Sequence, residues 1–191
     1  LHGNLAPGGA IIKQSAANEK LMEHTGRAVV FENAEDLASR IDSPDLDVTS
    51  DDILVLKNIG PKGAPGMPEA GYIPIPMKLA RAGVKDIVRI SDGRMSGTAF
   101  GTIVLHVTPE SAIGGPLAQV RNGDRIRLSV KNREISLLIS DEELAKRMKD
   151  NPITSPTAER GYKKLFLDTV TQADQGVDFD FLRAAKMVGK T

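Results

Sequence analysis

Two glycine-rich segments hold the residues best suited to chemistry. The first is Ser91-Asp92-Gly93-Arg94-Met95-Ser96-Gly97-Thr98, continuing to Gly101. Its glycines let backbone N–H groups approach an anion closely. Arg94 can pair with a carboxylate. Ser96 and Thr98 can supply a nucleophile or base, but a serine hydroxyl is a poor base without a metal or a positive dipole beside it. Asp92 can ligate a metal, accept from Arg94 or cap the turn; the last two fit its setting better. A polar turn or β-bulge with no chemistry accounts for the same residues.

The second segment, residues 60–76, contains nine Gly or Pro residues in 17 positions. Lys62 and Glu69 are its only charged residues. A lone carboxylate on such a loop suits a hard cation, which prefers oxygen ligands. A solvated loop shaped by glycine and proline accounts for it equally well. Histidines offer less. His2, His24 and His106 show no paired spacing for zinc on one helix face. His106 alternates with apolar residues on an expected strand and reads as structural; His24 reads as a surface residue.

These loops need elements to position them. Continuous apolar runs at 28–31, 53–56, 87–90 and 102–107 suit strands buried on both faces. Residues 125–130 and 135–139 alternate apolar with polar, and Lys131-Asn132-Arg133 between them predicts a hairpin turn. Asn33 can cap a helix over 34–41, and residues 77–82 can form another, ended by Gly83. Ser140-Asp141-Glu142-Glu143 is a capping box that opens a helix to about Lys149. After a Pro-rich linker at 151–156, residues 162–173 can form an amphipathic helix. The strands outnumber the helices without regular alternation. This predicts an α+β fold, a β-barrel of mixed strands flanked by helices, over 1–150, with a linker and C-terminal helical tail over 151–191.

Composition narrows the class of protein. The 191 residues carry 25 basic and 25 acidic groups, a formal net charge of zero, which argues against nucleic acid or an acidic membrane as the main partner. No apolar run reaches membrane-spanning length, no signal-peptide pattern is present, and a cytoplasmic protein is expected. There are no cysteines, so this chain alone cannot form disulfides or hold an iron–sulfur cluster by thiolates. It begins at Leu1 in what reads as the middle of a motif, so a piece of a larger protein is expected.

Taken together, the two loops resemble a known family. Gly60-Pro61-Lys62-Gly63-Ala64-Pro65-Gly66-Met67-Pro68-Glu69 resembles the metal-binding segment of the dihydroxy-acid and sugar-acid dehydratases, and residues 91–98 resemble their catalytic loop. His106-Val107-Thr108-Pro109-Glu110-Ser111-Ala112, Gly114-Gly115-Pro116, Gly3-Asn4-Leu5-Ala6-Pro7 and Ser140-Asp141-Glu142-Glu143-Leu144 resemble further family segments. In the tail, Arg160-Gly161-Tyr162, Gln172-Ala173 and residues 178–182 resemble the sugar-acid branch, which includes arabinonate and xylonate dehydratases.

The resemblance implies a C-terminal domain of the swivelling β/β/α type in a hydro-lyase. That enzyme dehydrates a 2,3-dihydroxy sugar acid to a 2-keto-3-deoxy acid, with Mg2+ and an iron–sulfur cluster as cofactors. It implies Ser96 as alkoxide base, Thr98 as its helper or a substrate contact, Arg94 as a substrate contact and Glu69 as a magnesium ligand. The cluster cysteines would lie in an N-terminal domain outside this chain, so the isolated chain is expected to be inactive. A homo-oligomer, dimer or tetramer, is implied as well. Two alternatives stay open: the dihydroxy-acid dehydratase of branched-chain amino-acid synthesis, and a non-catalytic small-molecule-binding or interaction module on the same barrel.

Overall fold

The computed structural model of the chain describes residues 1–183. One mixed sheet of seven strands organises it, in the order β1-β5-β4-β3-β2-β6-β7. The strands are β1 (Gly9–Ile12), β2 (Glu23–Phe31), β3 (Ile53–Leu56), β4 (Val88–Ser91), β5 (Ile103–Thr108), β6 (Arg125–Ser129) and β7 (Glu134–Leu137). Strands β2 to β5 run parallel, and β1, β6 and β7 join antiparallel.

Both faces of the parallel part are covered, which is why its strands read as unbroken apolar runs. Ala28, Val30, Ile53 and Val55 face one core, shared with Leu5, Leu117 and Leu128. Val29, Phe31, Leu54 and Leu56 face a second core, closed by Ile59, Ile73 and Ile87. The sheet curls into a half-barrel whose two edges meet through the N-terminal segment. Leu1 exchanges hydrogen bonds with Ala10 of β1, while His2 bonds Arg133 and Ile135 at β7. Asn4 adds two more bonds to Leu137. The expected mixed barrel is therefore present as a curled sheet bridged by Leu1, His2 and Asn4 rather than as a closed ladder.

Strand β1 is not predicted from the sequence; its four residues open on the second glycine of Gly8-Gly9 and carry little pattern. Strand β2 is longer than its apolar run because its first half serves a different partner. Glu23–Arg27 pair with β6, and Ala28–Phe31 pair with β3. The predicted hairpin forms between β6 and β7, with Arg133 in the left-handed region at φ 54°.

Helices follow their caps. In α1 (Ala34–Arg40) the Asn33 side chain accepts from Asp36 N at 2.8 Å. Helix α2 (Met77–Arg81) follows Pro76, and α3 (Asp141–Asp150) is capped by Ser140 as predicted. Helix α4 (Gly161–Thr169) stops four residues short of the expected end. There the chain turns back, Thr171 N donates to Asp178 O, and Val170 bridges Phe179. This places Gln172 against the barrel instead of on a helix face. Residues 184–191 of the expected tail lie outside the described residues.

Candidate active site

The parallel topology places the two glycine-rich loops side by side. Loop 57–76 leaves the C-terminal end of β3, and loop 92–102 leaves the same end of β4, its hydrogen-bonded neighbour. Ligand sites in open parallel sheets collect at this end of the strands.

Buried polar groups lock the bases of these loops. Asp92 is fully buried and takes Ile59 N on one oxygen (3.0 Å) and Ser111 N on the other (2.8 Å). Burial pushes its carboxyl above the ordinary aspartate range, against the pull of those two bonds. It is thus a joint between three loops and does not meet Arg94. Glu110, also buried, accepts from Lys62 N and Gly63 N at 2.9 Å and from the Gln172 side chain at 2.6 Å. The chain wraps the carboxylate so tightly that a Cβ on Gly60 would stand 2.6 Å from it. Arg89 is a third anchor. It donates to Tyr72 O and Ile73 O at the end of the first loop and pairs with Asp86 at 2.7 Å; Asp86 holds Thr102 at the end of the second.

The sequence singles out neither Glu110 nor the Arg89–Asp86 pair. Each is a lone charge in an apolar or turn setting, and only the buried surroundings reveal its task. Loop 60–76 is also not a bare solvated turn, because Met67 and Ile73 are buried beneath it.

Above these anchors lie the residues that sequence reasoning picked out. Arg94 joins the loops: its Nε donates to Met67 O at 2.6 Å and its Nη1 to Glu69 Oε1 at 3.2 Å, while Gly71 N donates to Arg94 O at 2.7 Å. Both partners of the Arg94–Glu69 pair are nearly half exposed, so the pair can open to a ligand. Ser96 Oγ and Thr98 Oγ1 stand 3.0 Å apart. The structure thus links Glu69 to Arg94 and Ser96 to Thr98; Asp92 serves beneath them. Lys13, given no role by the sequence, reaches the same loop and donates to Gly97 O at 2.6 Å.

His106 sits beneath Arg94's loop. Its backbone N donates to Gly93 O at 3.1 Å, and its φ of 54° is unusual for a non-glycine residue. Burial, then the charge of Arg94, holds its imidazole pKa below the usual histidine value. It is therefore a half-buried histidine kept neutral next to the site.

Among the described residues no group of three or more His, Asp or Glu side chains is placed to hold an ion. No helix among the described residues is long and apolar enough to cross a membrane.

Comparison with known proteins puts this geometry in a family. The dihydroxy-acid/6-phosphogluconate dehydratase C-terminal family model matches residues 1–177. The chain is 61% identical over 182 residues, 95% of its length, to the dehydratase IlvD1 of Rhizobium meliloti (strain 1021). It is 53% identical to an L-arabonate dehydratase of Azospirillum brasilense over 95% of its length. Identity to a 6-deoxy-6-sulfo-D-gluconate dehydratase of Pseudomonas putida is 52% over 98%. Against a dihydroxy-acid dehydratase of Dehalococcoides mccartyi (strain CBDB1) the identity falls to 37%. The chain spans about a third of the length of each of these relatives, 32% in each case. The chain belongs to the dihydroxy-acid/6-phosphogluconate dehydratase C-terminal family, on the side of its sugar-acid dehydratases.

Proposed function

We propose that this chain supplies the proton-abstracting part of a sugar-acid dehydratase active site, within a protein about three times its length. The observation that carries this reading is the junction of the two loops: Arg94 bonded to Glu69, beside a loop on which Ser96 and Thr98 share a hydrogen bond.

The substrate class follows from what such a site could hold. The L-arabonate and 6-deoxy-6-sulfo-D-gluconate enzymes are similar to this chain to within one per cent of identity, 53% and 52%, so a sugar acid of five or six carbons is favoured. Arg94 suits the substrate carboxylate, with which its guanidinium can form two parallel hydrogen bonds. Ser96, as alkoxide, takes the proton from C2, and Thr98 donates to the Ser96 oxygen and holds its direction. The C3 hydroxyl leaves with the C2–H electron pair moving into the C2–C3 bond. The resulting enol then gains a proton at C3 as its C2 hydroxyl gives one up, and becomes the 2-keto-3-deoxy acid. The acid that assists the departing hydroxyl belongs to the remaining two thirds of the protein.

Of the two implied cofactors, magnesium fits these residues and the cluster does not. Glu69 is an exposed carboxylate, and Mg2+ is commonly held by one or two carboxylates with waters and substrate oxygens completing the shell. The chemistry expected of a bound Mg2+ is neutralisation of charge on the substrate carboxylate and C2 oxygen. With no cysteine, this chain offers an iron–sulfur cluster no thiolate. In this reading residues 1–150 form the catalytic barrel, and the segment from 151 onward is a tail that Gln172 fastens to Glu110. A homo-oligomer, taken from the family resemblance, and a cytoplasmic setting, taken from the sequence, belong to the same proposal. The branched-chain dihydroxy-acid enzyme is less favoured because its identity to this chain is lower.

The test is Ser96→Ala in the full-length protein, assayed against a panel of pentonates and hexonates by 2-keto acid formation. Loss of a general base costs about 10²–10⁴-fold in rate, and a fall of that order is expected. Near-normal turnover would refute Ser96 as the base.

A further inference from the structure

The crest of the Ser96 loop has little to hold it. Residues 96–98 are at least partly exposed, and a Cβ built on Gly97 would meet nothing within 4 Å. Inside the loop, Ala99 N bonds Ser96 O, and the two hydroxyls bond each other. Among the described residues, one side chain from outside the loop hydrogen-bonds residues 95–99, and it is Lys13.

Topology explains how Lys13 arrives there. Strand β1 runs antiparallel to β5, with Ile12 opposite Val104. The chain leaving β1 at Lys13 therefore emerges beside the residues that lead into β5. From there it crosses the second half of the loop: Gly101 N donates to Ala16 O at 2.7 Å and Asn18 N donates to Thr102 Oγ1 at 3.0 Å. Asp86 grips Thr102 from the other side. The end of the loop is thus clamped by backbone on one flank and by the Asp86 carboxylate on the other, while its crest is held by one ammonium on the Gly97 carbonyl.

We propose that Lys13 is a positioning residue for the Ser96 base. Its bond to Gly97 O orients the Gly97–Thr98 peptide, whose Thr98 N donates to Ser96 Oγ at 3.4 Å, and so fixes where the serine oxygen points. The charges near this crest are Lys13, Arg94 and Glu69, and Lys13 alone among them bonds the serine's side of the loop. Proton transfer demands close alignment, and a displacement of about 1 Å can cost about 10²-fold in rate. The backbone of glycine resists such displacement less than that of any other residue. The inference rests on the reading of Ser96 as the base.

The test uses the full-length enzyme with substrate carrying hydrogen or deuterium at C2, comparing wild type, Lys13→Met, Lys13→Arg and Ser96→Ala. Lys13→Met is expected to lower kcat about 10- to 100-fold with KM changed less than about threefold. Its deuterium isotope effect on kcat should equal or exceed that of wild type, because the slowed step is removal of the C2 proton. Lys13→Arg, which keeps a cationic donor, should recover part of the loss. The inference is overturned if Lys13→Met keeps wild-type kcat, loses only KM, or lowers kcat with a smaller isotope effect than wild type. If Ser96→Ala is inactive while Lys13→Met is normal, only the role of Lys13 fails. If Ser96→Ala turns over normally, the base assignment itself fails.

Discussion

Arg94 and His106 show how much a single residue's neighbours decide. By type, Arg94 is a carboxylate binder, and in the structure it holds the carboxylate of Glu69 while its Nε grips Met67 O. In the proposed function a substrate carboxylate competes with Glu69 for one face of the guanidinium, and a cation on Glu69 would release Arg94 to the substrate. His106 reads from sequence as a quiet strand residue, yet its backbone is left-handed and its ring is kept neutral by burial and by Arg94. Its pKa is lowered on folding, so the unfolded chain binds a proton more readily as pH falls below about 6.5, the unperturbed histidine value. Stability from this residue is accordingly greatest above that value and declines as pH falls toward the folded value. His106→Asn tolerates the same backbone and does not titrate. Thermal unfolding should show wild type losing ground to this variant between about pH 7 and pH 5, by less than about 1 kcal/mol, because the ring is only half-buried. A difference that does not vary with pH would contradict a neutral His106.

At the scale of elements, glycines that look alike in the sequence have opposite duties. Gly97 and Gly101 belong to the same loop, four residues apart. A Cβ at Gly97 would enter open space, whereas one at Gly101, where φ is 127°, would stand 1.9 Å from Arg89 Nη2. Arg89 is buried and joins the two loop ends through Asp86, Tyr72 and Ile73. Gly101→Ala should destabilise the protein by about 3–5 kcal/mol, the cost of disturbing a buried ion pair. Gly97→Ala should stay within about 0.5 kcal/mol of wild type. Denaturant titration of both variants checks the contrast, and equal losses would mean the Arg89 clamp is not what holds the loop. The elements themselves were largely readable. Strands β3 to β5 and the β6–β7 hairpin follow the apolar pattern, and α1 and α3 follow Asn33 and Ser140. Strand β1 and the early end of α4 were not readable, since both depend on distant partners: β1 on β5, and the turn after Thr169 on Asp178 and Glu110.

At the scale of the molecule, the chain is a third of its relatives' length and presents a site with one candidate metal ligand and no thiolate. The purified 191-residue chain is therefore expected to form no 2-keto acid from L-arabonate or any other sugar acid, even with Mg2+ supplied. Measurable turnover by this chain alone would show that the whole reaction is contained in the barrel.

The sequence by itself determined the chemical alphabet of the site: a hydroxyl pair at Ser96 and Thr98, a carboxylate at Glu69, a guanidinium at Arg94, and the lack of any thiol. It also carried the strand runs, because burial on both faces writes itself as continuous apolar residues. Tertiary structure alone decided which of these groups meet. The parallel neighbours β3 and β4 set their two loops side by side, and the buried Asp92, Glu110 and Arg89 lock them there. The edge strand β1 brings Lys13 to the Ser96 loop across 84 residues of sequence. Such contacts arise from strand order and from the burial of lone charges, neither of which leaves a periodic trace in the chain.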